Sequence, residues 1–164
     1  RSDDMKKSID TRDDAQLADY LNALVDGKAF DGKGLIYGIG HAVYSISDPR
    51  AKIFREFVEK LSFEKGLHEE YELYRRVETL APEIIGKKRK IYKGVSANVD
   101  FYSGFAYRLL NIPVELYTPI FAIARMAGWS AHRMEELVNA GKIIRPAYAS
   151  VAERRSYVPM KERK

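Results

Sequence analysis

The sequence predicts a mostly α-helical protein, and three observations carry that prediction. Apolar residues recur at intervals of three and four through most of the 164 residues, which is the spacing of one helix face. Aspartate, asparagine or serine precedes several of these runs and glycine follows them, as at the starts and stops of helices. The chain has no internal repeat and no convincing hairpin. With 46% hydrophobic residues, it can form a core.

The first predicted helix is followed by a long glycine-rich loop. Its apolar residues recur at i, i+3, i+4 and i+7: Leu17, Tyr20, Leu21 and Leu24. Asp13 or Thr11 caps its start and Gly27 stops it. Residues 28–47 then form a loop that contains a short extended piece at 35–37.

Two longer helices come next. Asp48 and Pro49 open the first of them, because aspartate is a good cap and proline at the first position needs no N–H partner. We expect this helix to bury Ile53, Phe54, Phe57, Val58 and Leu61. The next helix lies near 66–86 and presents Leu67, Tyr71, Tyr74, Val77, Leu80 and Ile84. Pro82 predicts a break or a fresh start inside it.

A basic connector at 87–97 separates these helices from the rest of the chain. Three more helices follow it: Asn98 to about Leu110, Tyr117 to Met126 with Gly128 as its end, and Ser130 to Asn139. The last twenty residues show no clear period. The second half of the chain is therefore predicted to be helical as far as Asn139.

Charge and composition narrow the classes of function. The net charge is +5, with one cluster formed by Lys87, Lys88, Arg89, Lys90 and Lys93. Such a cluster binds nucleic acid, acidic lipid or a polyphosphate ligand, or is simply solvated. The absence of cysteine excludes disulfides and thiolate chemistry. No apolar run approaches the ~18 residues of a membrane span, and no signal peptide opens the chain, so we expect a cytoplasmic protein.

The glycine-rich loop contains the first candidate site residue, His41. Gly38 and Gly40 let the backbone approach a ligand without obstruction, but the third glycine of a dinucleotide-binding fingerprint is absent. A histidine in such a loop is either structural or catalytic. Arg50 stands at the second residue of a helix, where a cation is mildly unfavourable. It either pairs with Asp48 or forks onto a carboxylate ligand.

Three further charged residues have special positions. Asp100 lies in the first turn of the helix capped by Asn98, where a carboxylate is favoured by ~0.3–1 kcal/mol and stays ionised. Arg125 lies in a largely apolar helical run, where a buried cation would need a partner. Arg145 precedes Pro146, so its segment should be extended.

These segments occur in an order that resembles the citrate synthase family. The resemblance rests on Gly38–Tyr44, Asp48–Arg50, Asn98–Gly104, Phe121–His132 and Ile143–Pro146, and it runs from about Met5 to the C-terminus. It implies a citrate synthase-like helical small domain over 5–110 and the C-terminal helices of a large domain over 111–164.

The resemblance also implies roles for these residues. His41 would hydrogen-bond the carbonyl oxygen of oxaloacetate, and Asp100 would take a proton from the methyl group of acetyl-CoA. Arg50 and Arg125 would hold oxaloacetate. Arg145 would reach the active site of the neighbouring subunit, which implies a homodimer. The products are citrate and CoA.

The coenzyme A site is implied in the same way. The backbone of Gly38, Ile39, Gly40 and Ala42 would cradle the adenine end of CoA, and Lys93 would lie near its phosphates. Ser45 stands where some family members have a basic residue. The resemblance implies no metal and no permanently bound cofactor, with acetyl-CoA and CoA acting only as substrate and product.

Alternatives remain at this point. The family uses a second catalytic histidine upstream of the position of Met5, so we expect the chain to belong to a longer protein and to be inactive by itself. A 2-methylcitrate synthase acting on propionyl-CoA is the nearest alternative. A basic helical nucleic-acid-binding module and an interaction domain without chemistry are the others.

Overall fold

The protein folds into six α-helices over the part of the chain that the structure describes. The computed structural model describes residues 2–139, 153 and 155–163. The helices are α1 (Ser2–Ser8), α2 (Asp14–Val25), α3 (Pro49–Glu64), α4 (His68–Arg89), α5 (Val99–Leu109) and α6 (Tyr117–Asn139). Single 3-10 turns lie at Val114–Leu116 and Met160–Glu162. Between residues 2 and 139 the β-structure is limited to one isolated bridge, so the mostly α prediction is confirmed.

Three of the predicted caps begin helices in the structure. Asp13 accepts hydrogen bonds from the amides at the start of α2, Asp48 does so for α3, and Asn98 does so for α5. Each side chain satisfies an amide that has no partner within its own helix. Gly27 follows α2 with a φ of 71°, as expected for the residue after a helix.

The chain divides into two units, Arg1–Phe121 and Ala122–Lys164. The core of the first unit lies between α2, α3, α4 and α5, and it includes Leu17, Leu21, Val58, Tyr102, Phe105 and Leu109. Tyr74 of α4 stacks on Phe105 of α5 with ring centroids 4.7 Å apart. This packing fixes α5, whose first turn carries Asp100, against the other helices.

Two predicted helix breaks do not occur. α4 runs through Pro82 to Arg89, and α6 runs through Gly128 to Asn139 as a single helix. Proline inside a helix costs about 3 kcal/mol, and α4 buries Val77 and Ile85 on either side of it, which opposes this cost. A glycine inside a helix costs only about 1 kcal/mol, which is too little to end α6 at Gly128.

The apolar face predicted for α3 is only partly buried. Val58 is buried, whereas Ile53 and Phe57 are 57% and 69% exposed. The residues that α3 turns inward also include Ala51 and Ser62, so its buried face is narrower than its apolar residues suggest. None of the helices in the described ranges is long and apolar enough to cross a membrane.

Candidate active site

The glycine-rich loop is joined to the segment that precedes α5. The Asn98 amide donates to the Gly38 carbonyl at 2.8 Å, and the Gly40 amide donates to the Ser96 carbonyl at 2.8 Å. The Asn98 side-chain amide also donates to the Gly40 carbonyl at 2.7 Å. Asn98 thus caps α5 with its oxygen and holds the loop with its nitrogen, which places His41 beside the first turn of α5.

Gly38 allows this close approach. Its φ is +81°, and a Cβ atom there would lie 2.7 Å from the Cα of Phe101. Any other residue would have to push the loop away from α5. Gly40 also has a positive φ, but a Cβ atom there would meet nothing within 4 Å. The loop therefore presents an open backbone surface at Gly40, next to His41.

Asp48 connects the starts of α3 and α5. It is 1% exposed, and its Oδ2 accepts from the Val99 amide at 3.1 Å and from Arg50 Nη2 at 2.8 Å. Its Oδ1 accepts from the Arg50 amide at 2.9 Å and from Arg50 Nε at 3.0 Å. The side-chain hydrogen bonds from Arg50 are the main reason that the pKa of Asp48 is lowered. The carboxylate is therefore a fixed anion that orients Arg50.

His41 lies at the end of the Arg50 side chain. Its Nδ1 accepts hydrogen bonds from the amides of Val43 and Tyr44 at 3.0 and 3.1 Å. An imidazole nitrogen that accepts is unprotonated, so neutral His41 carries its proton on Nε2. Nε2 is 3.4 Å from Arg50 Nη2. Two N–H donors thus lie side by side, and an oxygen ligand can accept from both.

Tyr44 covers this pair of donors on one side. Its ring centroid is 4.8 Å from that of His41 and 5.7 Å from the Arg50 guanidinium carbon. A cation over an aromatic ring is stabilised by ~0.5–1 kcal/mol at an exposed position. Tyr44 therefore helps to hold both side chains in place.

Asp100 is exposed in the first turn of α5. Its negative charge contributes to raising the pKa of Arg50, although the hydrogen bond to Asp48 is the largest cause. Asp100 also borders an apolar cavity of about 210 Å³. The structure thus brings His41, Arg50 and Asp100 together around the joined starts of α3 and α5, although they are up to 59 positions apart in the sequence.

A second cavity also borders the glycine-rich loop. Its volume is about 170 Å³, and its lining includes Ile39, Gly40, His41, Arg89 and Lys93. Ala42 is exposed beside it. The two cations and the backbone of the loop can accept an anionic ligand here.

The basic cluster at the end of α4 is largely bonded to protein groups. Lys87 pairs with Glu83, Lys88 with Asp26, and Arg89 donates to the Gly34 carbonyl. These contacts neutralise or orient three of the five charges. The cluster is therefore less of a broad basic surface than its sequence suggests.

The two other predicted arginines, Arg125 and Arg145, follow the first unit in the sequence. Arg125 lies on α6 in the second unit and is exposed. Its predicted substrate-binding role stays a prediction. Arg145 lies outside the described residues.

Sequence reasoning missed two supporting groups, the Tyr44 ring and the Nδ2 of Asn98. Tyr44 follows His41 by three positions, but a turn must fold it back before it can contact Arg50. Asn98 was assigned only as a cap. Asn98 offers both a donor and an acceptor, but nothing in the sequence places it beside the glycine-rich loop 58 positions away. In the described ranges no three His, Asp or Glu side chains are grouped so that they could hold a metal ion.

Comparison with known proteins shows the same family throughout. The family described as "Citrate synthase, C-terminal domain" matches residues 3–147. The citrate synthase of Synechocystis sp. is 45% identical over 83% of this chain and 33% of its own length, and that of Thermoplasma acidophilum is 37% identical over 93% and 38%. A 2-methylcitrate synthase of Shewanella oneidensis is 36% identical over 89% of this chain and 36% of its own length.

Solved structures agree with these relatives. The ternary complex of Thermoplasma acidophilum citrate synthase with carboxymethyl coenzyme A and oxaloacetate matches 99% of this chain and 41% of that one, with 34% identity and a TM-score of 0.64. The chain spans 33% to 41% of the length of these relatives. From the family match and these relatives, the chain belongs to the citrate synthase family.

Proposed function

We propose that this chain forms the C-terminal part of an enzyme that condenses acetyl-CoA with oxaloacetate to give citrate and CoA. Residues 5–110 would be its small domain and 111–164 the closing helices of its large domain. The intact enzyme would work in the cytoplasm as a homodimer, to which Arg145 contributes. The observation that carries this proposal is the pair of donors formed by His41 Nε2 and Arg50 Nη2, 3.4 Å apart.

The pair of donors suits oxaloacetate. Neutral His41 can donate from Nε2 to the ketone oxygen, which becomes an alkoxide when a carbon nucleophile attacks it. Arg50 uses Nε and one N–H of Nη2 to bind Asp48, which leaves the second Nη2 hydrogen and the Nη1 group for the substrate. A guanidinium prefers such paired contacts with carboxylates. Arg125 would supply a further positive charge for the dicarboxylate.

Asp100 is the proposed base. Its backbone amide is bound by the cap residue Asn98 at 3.0 Å, and its carboxylate lies where the start of α5 favours negative charge. An ionised, exposed carboxylate can remove a proton from the carbon next to a thioester carbonyl. The enol so formed would attack the ketone held by His41, and hydrolysis of the citryl thioester would release CoA.

The second cavity is the proposed site for coenzyme A. Lys93 and Arg89 border it together with the backbone of Ile39 and Gly40. Cations can bind the phosphates, and a backbone with little side-chain bulk can approach the adenine ring closely. The complex of the Thermoplasma acidophilum relative with carboxymethyl coenzyme A and oxaloacetate supports both ligands.

The test is a chimera. Replacing the matched 38% of the Thermoplasma acidophilum citrate synthase with this chain should give an enzyme that releases thiol from acetyl-CoA when oxaloacetate is added. His41→Ala should lower kcat by about 10²–10³-fold, the effect of losing one oxyanion donor. Asp100→Asn should lower it by about 10²–10⁴-fold. His132→Ala, at an exposed position on α6, is the matched control and should keep full activity.

The 164-residue chain by itself should form no citrate, because the resemblance places a second catalytic histidine upstream of Met5. It should still bind oxaloacetate, measured by calorimetry, and the Arg50→Ala variant should bind it more weakly. A folded chimera without activity, together with a chain that binds neither oxaloacetate nor CoA, would refute the proposed function.

A second candidate is a 2-methylcitrate synthase. The Shewanella oneidensis relative of that name is 36% identical over 148 residues, so identity alone does not separate the two reactions. The chimera distinguishes them through kcat/KM for propionyl-CoA relative to acetyl-CoA. A difference of one methylene is typically worth only ~1–3 kcal/mol.

A further inference from the structure

An apolar cavity of about 210 Å³ begins beside the Asp100 carboxylate. Its deeper lining includes Leu24, Leu73 and Val77, which are 3–4% exposed. Asp100 is the one charged residue among the described residues that line it. The cavity therefore has an anionic rim and an apolar interior.

The helix geometry leads from Asp100 into this cavity. Asp100 and Gly104 are four residues apart, so they share one face of α5, and both line the cavity. A Cβ atom at Gly104 would meet nothing within 4 Å. A chain that starts at the Asp100 carboxylate can therefore continue past Gly104 without meeting a side chain.

This arrangement selects the chemistry of the occupant. A second anion would be repelled by Asp100. Apart from Asp100, the polar side chains of the lining are Tyr37 and Tyr74, and the Tyr37 hydroxyl already donates to Asp31, so the leucines and valine of the interior favour an apolar group. An alkyl group gains from burial there. Apolar cavities of about 150 Å³ hold a benzene molecule, so this one has room for several methylene groups.

We propose that the cavity receives the alkyl substituent of an acyl-CoA thioester and so determines which acyl chain the site prefers. The proposal rests on the proposed function, in which Asp100 faces the carbon next to the thioester carbonyl. The acetyl group has only hydrogens on that carbon and leaves the cavity empty. Propionyl and butyryl groups place one and two carbons in it. Burial of each methylene should strengthen binding about fourfold.

Methionine methyl groups allow a direct test in the 164-residue chain. Of the four methionines, Met5 lines the cavity, whereas Met126 and Met134 lie in the second unit and are not among the lining residues. With ¹³C-methyl methionine, we expect propionyl-CoA and butyryl-CoA to shift the Met5 signal. CoA and acetyl-CoA should leave it nearly unchanged, and the Met126 and Met134 signals should not respond.

Filling the cavity gives the second test. Gly104→Leu should remove the fourfold gain per methylene and the Met5 response, with the Kd for CoA unchanged. Gly128→Leu is the matched control, because Gly128 is also a helical glycine with nothing within 4 Å of its Cβ position, and it should keep both effects.

The outcomes separate this inference from the proposed function. Binding of CoA with no gain from acetyl to butyryl, or with a gain that Gly104→Leu leaves intact, would overturn the cavity assignment alone. Failure to bind CoA at all would overturn the proposed function, and the inference with it. If Gly104→Leu does not fold, the response of Met5 in the unsubstituted chain decides the matter.

Discussion

Replacing Asp48 by alanine should destabilise the first unit far more than removing an ordinary helix cap. The change removes the N-cap of α3, which is worth about 1 kcal/mol. It also removes the bond from the Val99 amide to a carboxylate, and hydrogen bonds to charged groups are worth about 1.5–3 kcal/mol. The ion pair between Asp48 and the half-exposed side chain of Arg50 adds little to the loss, because exposed ion pairs contribute little to stability. The expected loss is about 2–4 kcal/mol in the free energy of unfolding.

The assay is urea unfolding followed by circular dichroism, with Asp13→Ala as the matched control. Asp13 caps α2 in the same way, but it bonds only to Ala15 and Gln16 of its own helix. Asp13→Ala should therefore cost only about 1 kcal/mol. Equal losses for the two variants would refute the reasoning, because they would show that Asp48 does no more than cap α3.

Further predictions concern the loop and the pH dependence. Gly38→Ala should destabilise the protein more than Gly40→Ala in the same unfolding assay, because only at Gly38 would the new Cβ atom collide with Phe101; equal effects would contradict the close approach. The pKa of Asp48 is lowered from 3.8 in the folded state, so the stability it contributes is complete above pH 3.8 and is lost as the pH falls through its lower folded pKa. Unfolding curves measured down to acid pH should show this loss, and Asp48→Asn should remove that part of the pH dependence.

The sequence predicts the elements of this fold where the signal is local. Asp13, Asp48 and Asn98 all cap helices as expected, because a cap acts on amides two or three residues away. Pro82 was misread because the burial that keeps α4 intact comes from residues on other helices. The exposure of Ile53 and Phe57 was missed for a related reason: periodicity predicts which residues share a face but not what covers that face.

The sequence predicts which residues form the site but not how they are arranged in space. The glycine loop, the helix opening at Arg50 and the carboxylate at Asp100 all stand out in the sequence. The antiparallel bridge between Ile39 and Ala97, which joins two of these segments, does not. These two short segments are 58 residues apart, and they pair through backbone groups that every sequence has. No pattern of side chains therefore predicts the pairing.

The central claim is that His41 and Arg50 place their donors side by side to bind oxaloacetate. Long-range ¹H–¹⁵N spectra of the chain labelled at histidine test it most directly, at a pH where the imidazole is neutral. We expect His41 to carry its proton on Nε2 and that nitrogen to shift when oxaloacetate is added, with the shift lost in Arg50→Ala. A proton on Nδ1, or an Nε2 signal that does not shift when oxaloacetate is added, would contradict the claim.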